Sequence, residues 1–171
     1  MDTAQTLTTA QTLLQPVTVG APKIEGHRLD IPVKREDLLR AVKILVDAHW
    51  GYLSAITGLD LPWPKPKPGI KPAEPAPEAG PLEDELEALY HFASGAAVAT
   101  IRVRVPYHDT RIPSICPIIP SATLYERELQ EMLGFIVEGT PVPDKLLLPD
   151  DWPAGLYPLR KSFTGAELAG K

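Results

Sequence analysis

Proline lacks a backbone N–H and has a fixed φ, so it is excluded from helix interiors and central strands. This chain carries twenty prolines in 171 residues, and their placement constrains the fold more than any other feature. Eight fall in residues 62–81 and five in residues 141–158. The first cluster reads as an extended, polyproline-like spacer between two strands. The second belongs to a tail that cannot keep regular structure for long. A length of 171 residues fits one domain with appendages. The expected divisions are a flexible polar N-terminus at 1–22, a folded domain at 23–138 with the proline-rich insert at 62–81, and a C-terminal tail at 139–171.

Within the domain, periodicity places the elements. The first 22 residues are rich in Thr and Gln and read as a frayed end with a short amphipathic turn around Leu13 and Leu14. In His27–Val33, Leu29 and Ile31 alternate with Arg28 and Asp30, the pattern of a strand. Residues Lys34–Trp50 carry Leu38, Val42, Leu45 and His49/Trp50 at helical spacing, flanked by Ala41 and Ile44, with Glu36 and Asp37 in the first turn and Gly51 as the stop. Tyr52–Leu61 reads as a strand. A hairpin follows, with Leu86, Ala88, Tyr90 and Phe92 on one face of its first strand and Ala97, Ala99, Ile101, Val103 and Val105 on one face of its second. A turn at Ser94-Gly95 would set Phe92 opposite Ala97 and Ala88 opposite Ile101, with Glu87 facing Arg102 and Glu85 facing Arg104 outside. Residues 106–120 read as an irregular crossover containing Cys116 as a buried, inert thiol. Thr123 and Glu126 fit a capping box that would start a helix at Leu124, with Tyr125, Leu129, Met132 and Leu133 on its apolar face and Gly134 as its end. Phe135–Glu138 reads as a short strand or an extended piece.

Several function classes are disfavoured by composition. One cysteine excludes an internal disulfide and any cysteine-cluster metal site within the chain. A formal charge of −5, with no dense basic run, argues against nucleic acid as a partner. No run of about 20 apolar residues is present to span a bilayer, and the first twenty residues do not read as a signal peptide. His27, His49, His91 and His108 share no metal-ligand spacing, and there is no phosphate-binding loop, G-x-S-x-G or C-x-x-C. Glu126, Glu128 and Glu131 invite a hydrolase reading, but Glu126 and Glu128 fall on different helix faces, and a cap with a charged face accounts for them. Arg127 is better suited to a network, in which bidentate pairing with carboxylates such as Asp150 or Asp151 would lock the helix to the tail or to a partner. The tail carries Leu146, Leu147, Leu148, Trp152, Leu156, Tyr157 and Leu159 without a period, so it must bury these side chains against its own domain or another subunit.

Tyr125-Glu126-Arg127-Glu128, Met132-Leu133-Gly134, Glu138-Gly139, Leu146 to Trp152 and Pro158-Leu159-Arg160-Lys161 together resemble the signature of the 30-kDa-type (C-type) subunit of NADH–quinone oxidoreductase, respiratory complex I. The same module occurs in membrane-bound nickel–iron hydrogenases and F420H2 dehydrogenases. Val33 to Leu39, Leu53 to Leu61, Tyr90-His91 and Arg102 to Val105 extend the resemblance over roughly residues 27–163. It implies an α/β (α+β) fold, a mixed sheet with flanking helices followed by an extended proline-rich C-terminal tail. It also implies a non-catalytic subunit on the cytoplasmic side of the membrane, in the peripheral arm of an ion-translocating redox complex. The membrane would be reached only through that complex.

No cofactor is implied in this chain; iron–sulfur clusters, and nickel–iron or flavin, would sit on partner subunits. The partners would be a large hydrogenase-like subunit and iron–sulfur subunits. The interface residues expected from the signature and the tail are Glu126, Arg127, Glu128, Asp150, Asp151, Trp152, Tyr157, Arg160 and Lys161. The chain departs from complex I members at Glu131, Leu133 and Gly139-Thr140-Pro141, in a form similar to the hydrogenase-like or archaeal-type branch. A membrane-bound hydrogenase subunit is therefore an alternative. A free-standing scaffold using the insert at 62–81 is another.

Overall fold

The computed structural model describes residues 2–62, 84–142 and 144–168, with nothing assigned to the Glu167 side chain. The proline-rich insert, apart from Pro62, lies outside the described residues. The chain order is α1 (Thr3–Leu14), β1 (Lys23–Glu25), β2 (Arg28–Pro32), α2 (Leu38–Asp47), β3 (Tyr52–Leu61), β4 (Glu85–Ser94), β5 (Ala97–Pro106), β6 (Arg111–Pro113), α3 (Thr123–Leu133) and β7 (Ile136–Glu138). The first five strands make one mixed sheet in the order β1-β2-β5-β4-β3, in which β2 and β5 run parallel and the other neighbours antiparallel. β6 and β7 pair in parallel as a small second sheet.

Side-chain alternation explains the layering. Leu29 and Ile31 on β2, Leu86, Ala88, Tyr90 and Phe92 on β4, and Ala99, Ile101 and Val103 on β5 are buried and belong to one apolar cluster with the helices. Each large side chain so buried contributes about 1.5–3 kcal/mol of transfer free energy. α2 buries Leu38, Val42 and Leu45 of the expected stripe together with the flanking Ala41, while His49, beyond its end, is exposed. β3 has the bounds expected for it, with an irregularity at Ser54 where its pairing with β4 shifts. The α2 helix ends earlier than expected, and His49 rather than a glycine takes the first left-handed conformation, at φ 51°.

Four expectations are corrected. Residues 3–14 are not a frayed end but a helix, with Leu7, Ala10 and Leu14 buried against the sheet and α2. Its threonines return their hydroxyls to carbonyls one turn back: Thr8 to Ala4, Thr9 to Gln5 and Thr12 to Thr8, each at 2.9 Å. The Trp50 indole N–H donates to the Thr6 carbonyl at 3.1 Å and ties this helix down.

The hairpin register is the second correction. Its loop is Gly95-Ala96, with Ser94 opposite Ala97, Phe92 opposite Ala99 and Glu87 opposite Arg104. Gly95, at φ 59°, supplies the left-handed residue at the first loop position. The pairing is displaced by two residues from the expected one, and since side chains alternate with period two, every inward residue stays inward.

The third correction is the crossover, which contains β6 and the 3₁₀ turn Pro120–Ala122 rather than being wholly irregular. The fourth is the capping box. α3 begins at Thr123 after Ala122, makes no side-chain cap, and turns Glu126 inward.

Candidate functional site: the α3–tail junction

Helix α3 rests on β3 at a point where only glycine fits. A Cβ on Gly58 would collide with the Leu133 and Leu129 side chains. Leu129 and Leu133 are buried there, and Gly134 ends the helix in the left-handed conformation at φ 75°. The Tyr157 ring lies over Gly134 so closely that a Cβ would stand 2.5 Å from it. Helix, strand and tail therefore meet at two glycines.

The charged residues of α3 point three ways. Glu126 is 1% exposed. Its carboxylate accepts from the Ser114 hydroxyl at 2.8 Å, the Ile115 N–H at 2.7 Å and the Cys116 thiol at 3.2 Å. Instead of capping the helix or meeting a partner, it fastens the crossover to α3. Burial pushes the Cys116 thiol pKa up, in keeping with the inert thiol expected there.

Arg127 reaches the tail, but its acceptors are backbone carbonyls, Asp144 at 2.8 Å and Lys145 at 2.6 Å, rather than the expected carboxylates. One turn on, Glu131 accepts three successive tail N–H groups: Leu146, Leu147 at 2.8 Å and Leu148 at 3.2 Å. Glu128 is exposed.

The tail closes on itself and on the sheet. From Gly139 to Gly165 its described residues carry turns and bends. The Lys145 ammonium donates to the carbonyls of Pro149 and Asp150, each at 2.9 Å, and of Trp152 at 3.3 Å. The Trp152 indole donates to the Leu156 carbonyl at 2.9 Å, and its ring centroid lies 6.0 Å from that of Phe163. Arg160 donates to the Leu133 carbonyl at 2.6 Å and places its guanidinium 4.2 Å from the Tyr107 ring centroid and 5.2 Å from that of Tyr157. The Lys161 N–H donates to Asp60 at 2.6 Å, and the Tyr107 hydroxyl donates to the same carboxylate. Burial first, and then the Asp60 carboxylate, hold the Tyr107 hydroxyl protonated, with its pKa pushed up to about 12.

Of the nine residues expected at an interface, the structure thus brings Arg127, Trp152, Tyr157, Arg160 and Lys161 into one intramolecular junction and sends Glu126 into the core. Asp150 and Asp151 are exposed at a turn. Sequence reasoning missed Glu131, Lys145, Asp60 and Tyr107. Glu131 had a usable signal, since it stands four residues after Arg127 on the helix face that must meet the tail.

Among the described residues, no group of three or more His, Cys, Asp or Glu is placed to hold a metal ion. What this junction offers is a surface. Leu124, Ile136, Val142, Leu147 and Leu159 are exposed apolar side chains of α3, β7 and the tail.

Comparison with known proteins adds four findings. The family described as respiratory-chain NADH dehydrogenase, 30 Kd subunit, matches residues 31–168. The C-type subunit of NADH-quinone oxidoreductase from Nocardioides sp. is 34% identical over 152 residues, covering 85% of this chain and 53% of that one. Formate hydrogenlyase subunit 5 of Escherichia coli is 48% identical over 62 residues, 36% of this chain and 11% of that one. The chain thus spans about half the length of the Nocardioides relative, 53%, and a small part of the Escherichia coli one. A solved structure of a membrane-bound sulfane sulfur reductase, an archaeal respiratory membrane complex, contains a chain with TM-score 0.63 and 23% identity, covering 95% of this chain and 87% of that one. That likeness is one of fold.

Proposed function

The chain belongs to the family of the 30 Kd subunit of respiratory-chain NADH dehydrogenase, and from that premise we propose that it is a non-catalytic docking subunit of a complex I-like, ion-translocating redox complex. The observation that carries the proposal is the α3–tail junction, where prolines and charged anchors hold an aperiodic segment in place while its apolar side chains, Leu147 and Leu159 among them, stay exposed at 60% and 57%. Such a surface is suited to be covered by a larger subunit.

In this reading the partner is the large, hydrogenase-like subunit of the complex, with iron–sulfur subunits beside it. Iron–sulfur clusters, and nickel–iron or flavin, reside on those partners. The chain lies in the peripheral arm on the cytoplasmic side and meets the membrane only through the complex. No helix among the described residues is long and apolar enough to cross a membrane. The same role serves a NADH–quinone oxidoreductase or a membrane-bound hydrogenase.

Affinity purification of the tagged chain from its host tests the proposal. The expected result is stoichiometric recovery of a hydrogenase-like large subunit. Recovery of a lone monomer at native expression overturns it. Metal and flavin content of the same preparation separates the two kinds of complex, nickel marking a hydrogenase.

A further inference from the structure

The charged triplet on α3 leaves one member unused. Glu126 serves the core and Arg127 the tail, whereas Glu128 is exposed and makes no hydrogen bond or ion pair with any described residue. Glu128 lies on the wall of a groove of about 320 Å³. One wall is the face of α3 formed by Tyr125, Leu129 and Met132, and Leu159 of the tail also borders it. The other wall is residues 55–58 of β3, all four in succession. Successive residues of a strand point to opposite faces, so four in a row can line one groove only if it runs along the strand's open edge.

β3 is the last strand of its sheet, and among the described residues only β4 pairs with it. Among the described residues no strand pairs with the groove side of this edge; the Ser54 carbonyl there accepts from the Tyr125 hydroxyl at 3.1 Å. Between the bulge at Ser54 and the inward-pointing Asp60, residues 55–59 of this edge carry no proline, lysine or other charge, and Leu59 is exposed.

We propose that an extended segment of a partner subunit adds to this edge as a further strand. Its alternate side chains would be apolar, lying on Leu129 and Met132, and a Lys or Arg would stand against Glu128. The proposal rests on the docking-subunit reading above and specifies how the partner is held. A second copy of this chain is the poorer occupant. Pairing β3 with its own copy presents the sequence YLSAITGLDL, which carries Asp60 and no Lys or Arg, and so brings no cation to Glu128.

The test uses the assembled complex, purified through a tag on this chain carrying Thr57→Cys labelled with benzophenone maleimide. Cys116, 7% exposed, reacts slowly by comparison. Irradiation is expected to join Thr57→Cys to a peptide of another subunit, mapped by mass spectrometry to an alternating apolar segment containing Lys or Arg. Adding Glu128→Lys should lower the adduct yield at least tenfold, and Glu128→Gln should lower it less, with the thermal melting of the free variants unchanged. Adducts confined to this chain or to a second copy of it, or none from an intact complex, overturn the inference while leaving the docking reading standing. Isolation of the chain without any other subunit overturns that reading, and this inference with it.

Discussion

The sheet with α1 and α2, and the junction of α3 with the tail, are held together by different chemistry. In the first region backbone groups pair with one another in ladders and helices, and stability comes from side chains such as Tyr90, Phe92 and Ile101, which are 0–1% exposed. In the second region prolines prevent a ladder, and the tail's polar backbone still requires partners. Charged side chains supply them: Glu131 for three N–H groups, Arg127 for two carbonyls and Lys145 for three, while Arg160 of the tail reaches back to the last carbonyl of α3. Charged residues that look like an exposed face in the sequence are backbone anchors in the structure. The expected consequence is that core substitutions alter global stability, whereas substitutions among the α3 charges release the tail.

The largest effect should come from Phe92→Ala. Emptying a fully buried aromatic site costs about 3–5 kcal/mol, a large share of the roughly 5–15 kcal/mol that such domains possess. Urea unfolding followed by circular dichroism should show the midpoint fall in a single transition. A small shift would mean that the sheet core is not the principal source of stability.

Glu126→Ala should rank second, because Glu126 joins the two regions. Its removal leaves the Ile115 N–H and the Ser114 hydroxyl without an acceptor in a buried setting, at about 1–3 kcal/mol for each unsatisfied group. Glu126→Gln keeps one acceptor oxygen and should recover part of the loss. Equal losses for the two substitutions would show that the charge, and not the hydrogen bonding, matters.

Arg127→Ala and Glu131→Ala should barely move the global midpoint, by less than about 1 kcal/mol, as local openings cost less than global unfolding. Hydrogen exchange at Leu147 and Leu148 should nonetheless accelerate about tenfold or more, equivalent to about 1.4 kcal/mol of lost local protection. Assembly with the partner should weaken by more than the isolated fold does. A matching loss of global stability would mean that tail and sheet unfold as one unit, and the contrast between the regions would disappear.

How much of this was legible in the sequence follows the same division. Alternation reveals which residues of β4 and β5 face inward, because burial and period two are both sequence properties. It does not reveal the register, which here depended on Gly95 taking the first loop position instead of the second. α1 was missed because threonine is a weak helix former, and its rescue by hydroxyl-to-carbonyl bonds and by the Trp50 indole is tertiary. At Glu126 the T-x-x-E pattern was present, but burial beside Ser114 and Cys116, contacts made only after folding, decided the outcome. The tail's need for a surface was readable from leucines and prolines without a period. Its anchors on Asp60 and Leu133 were not, since they pair residues up to 101 positions apart.

The smallest predicted effect separates the regions by pH. His91 is half-buried on the polar face of the sheet, with its Nε2 2.9 Å from the Thr57 hydroxyl and its Nδ1 3.0 Å from the Thr100 hydroxyl. Burial lowers its pKa below the ordinary value of 6.5; Arg28 and Arg102 act in the same direction and Asp30 opposes them. The unfolded chain therefore takes up this proton at a higher pH than the folded one. The stability contributed by neutral His91 is present above about pH 6.5 and is lost as pH falls through the lower folded-state pKa. Urea midpoints should be level near neutrality and decline on acidification below about pH 6.5, before most carboxylates titrate. His91→Gln should flatten that decline. Every group facing His91 belongs to the sheet, so amide protection at Leu147 and Leu148, corrected for the intrinsic pH dependence of exchange, should not change over the same interval. A parallel fall in tail protection would show that the charged anchors on α3 sense the sheet, and that the two regions are coupled through β3.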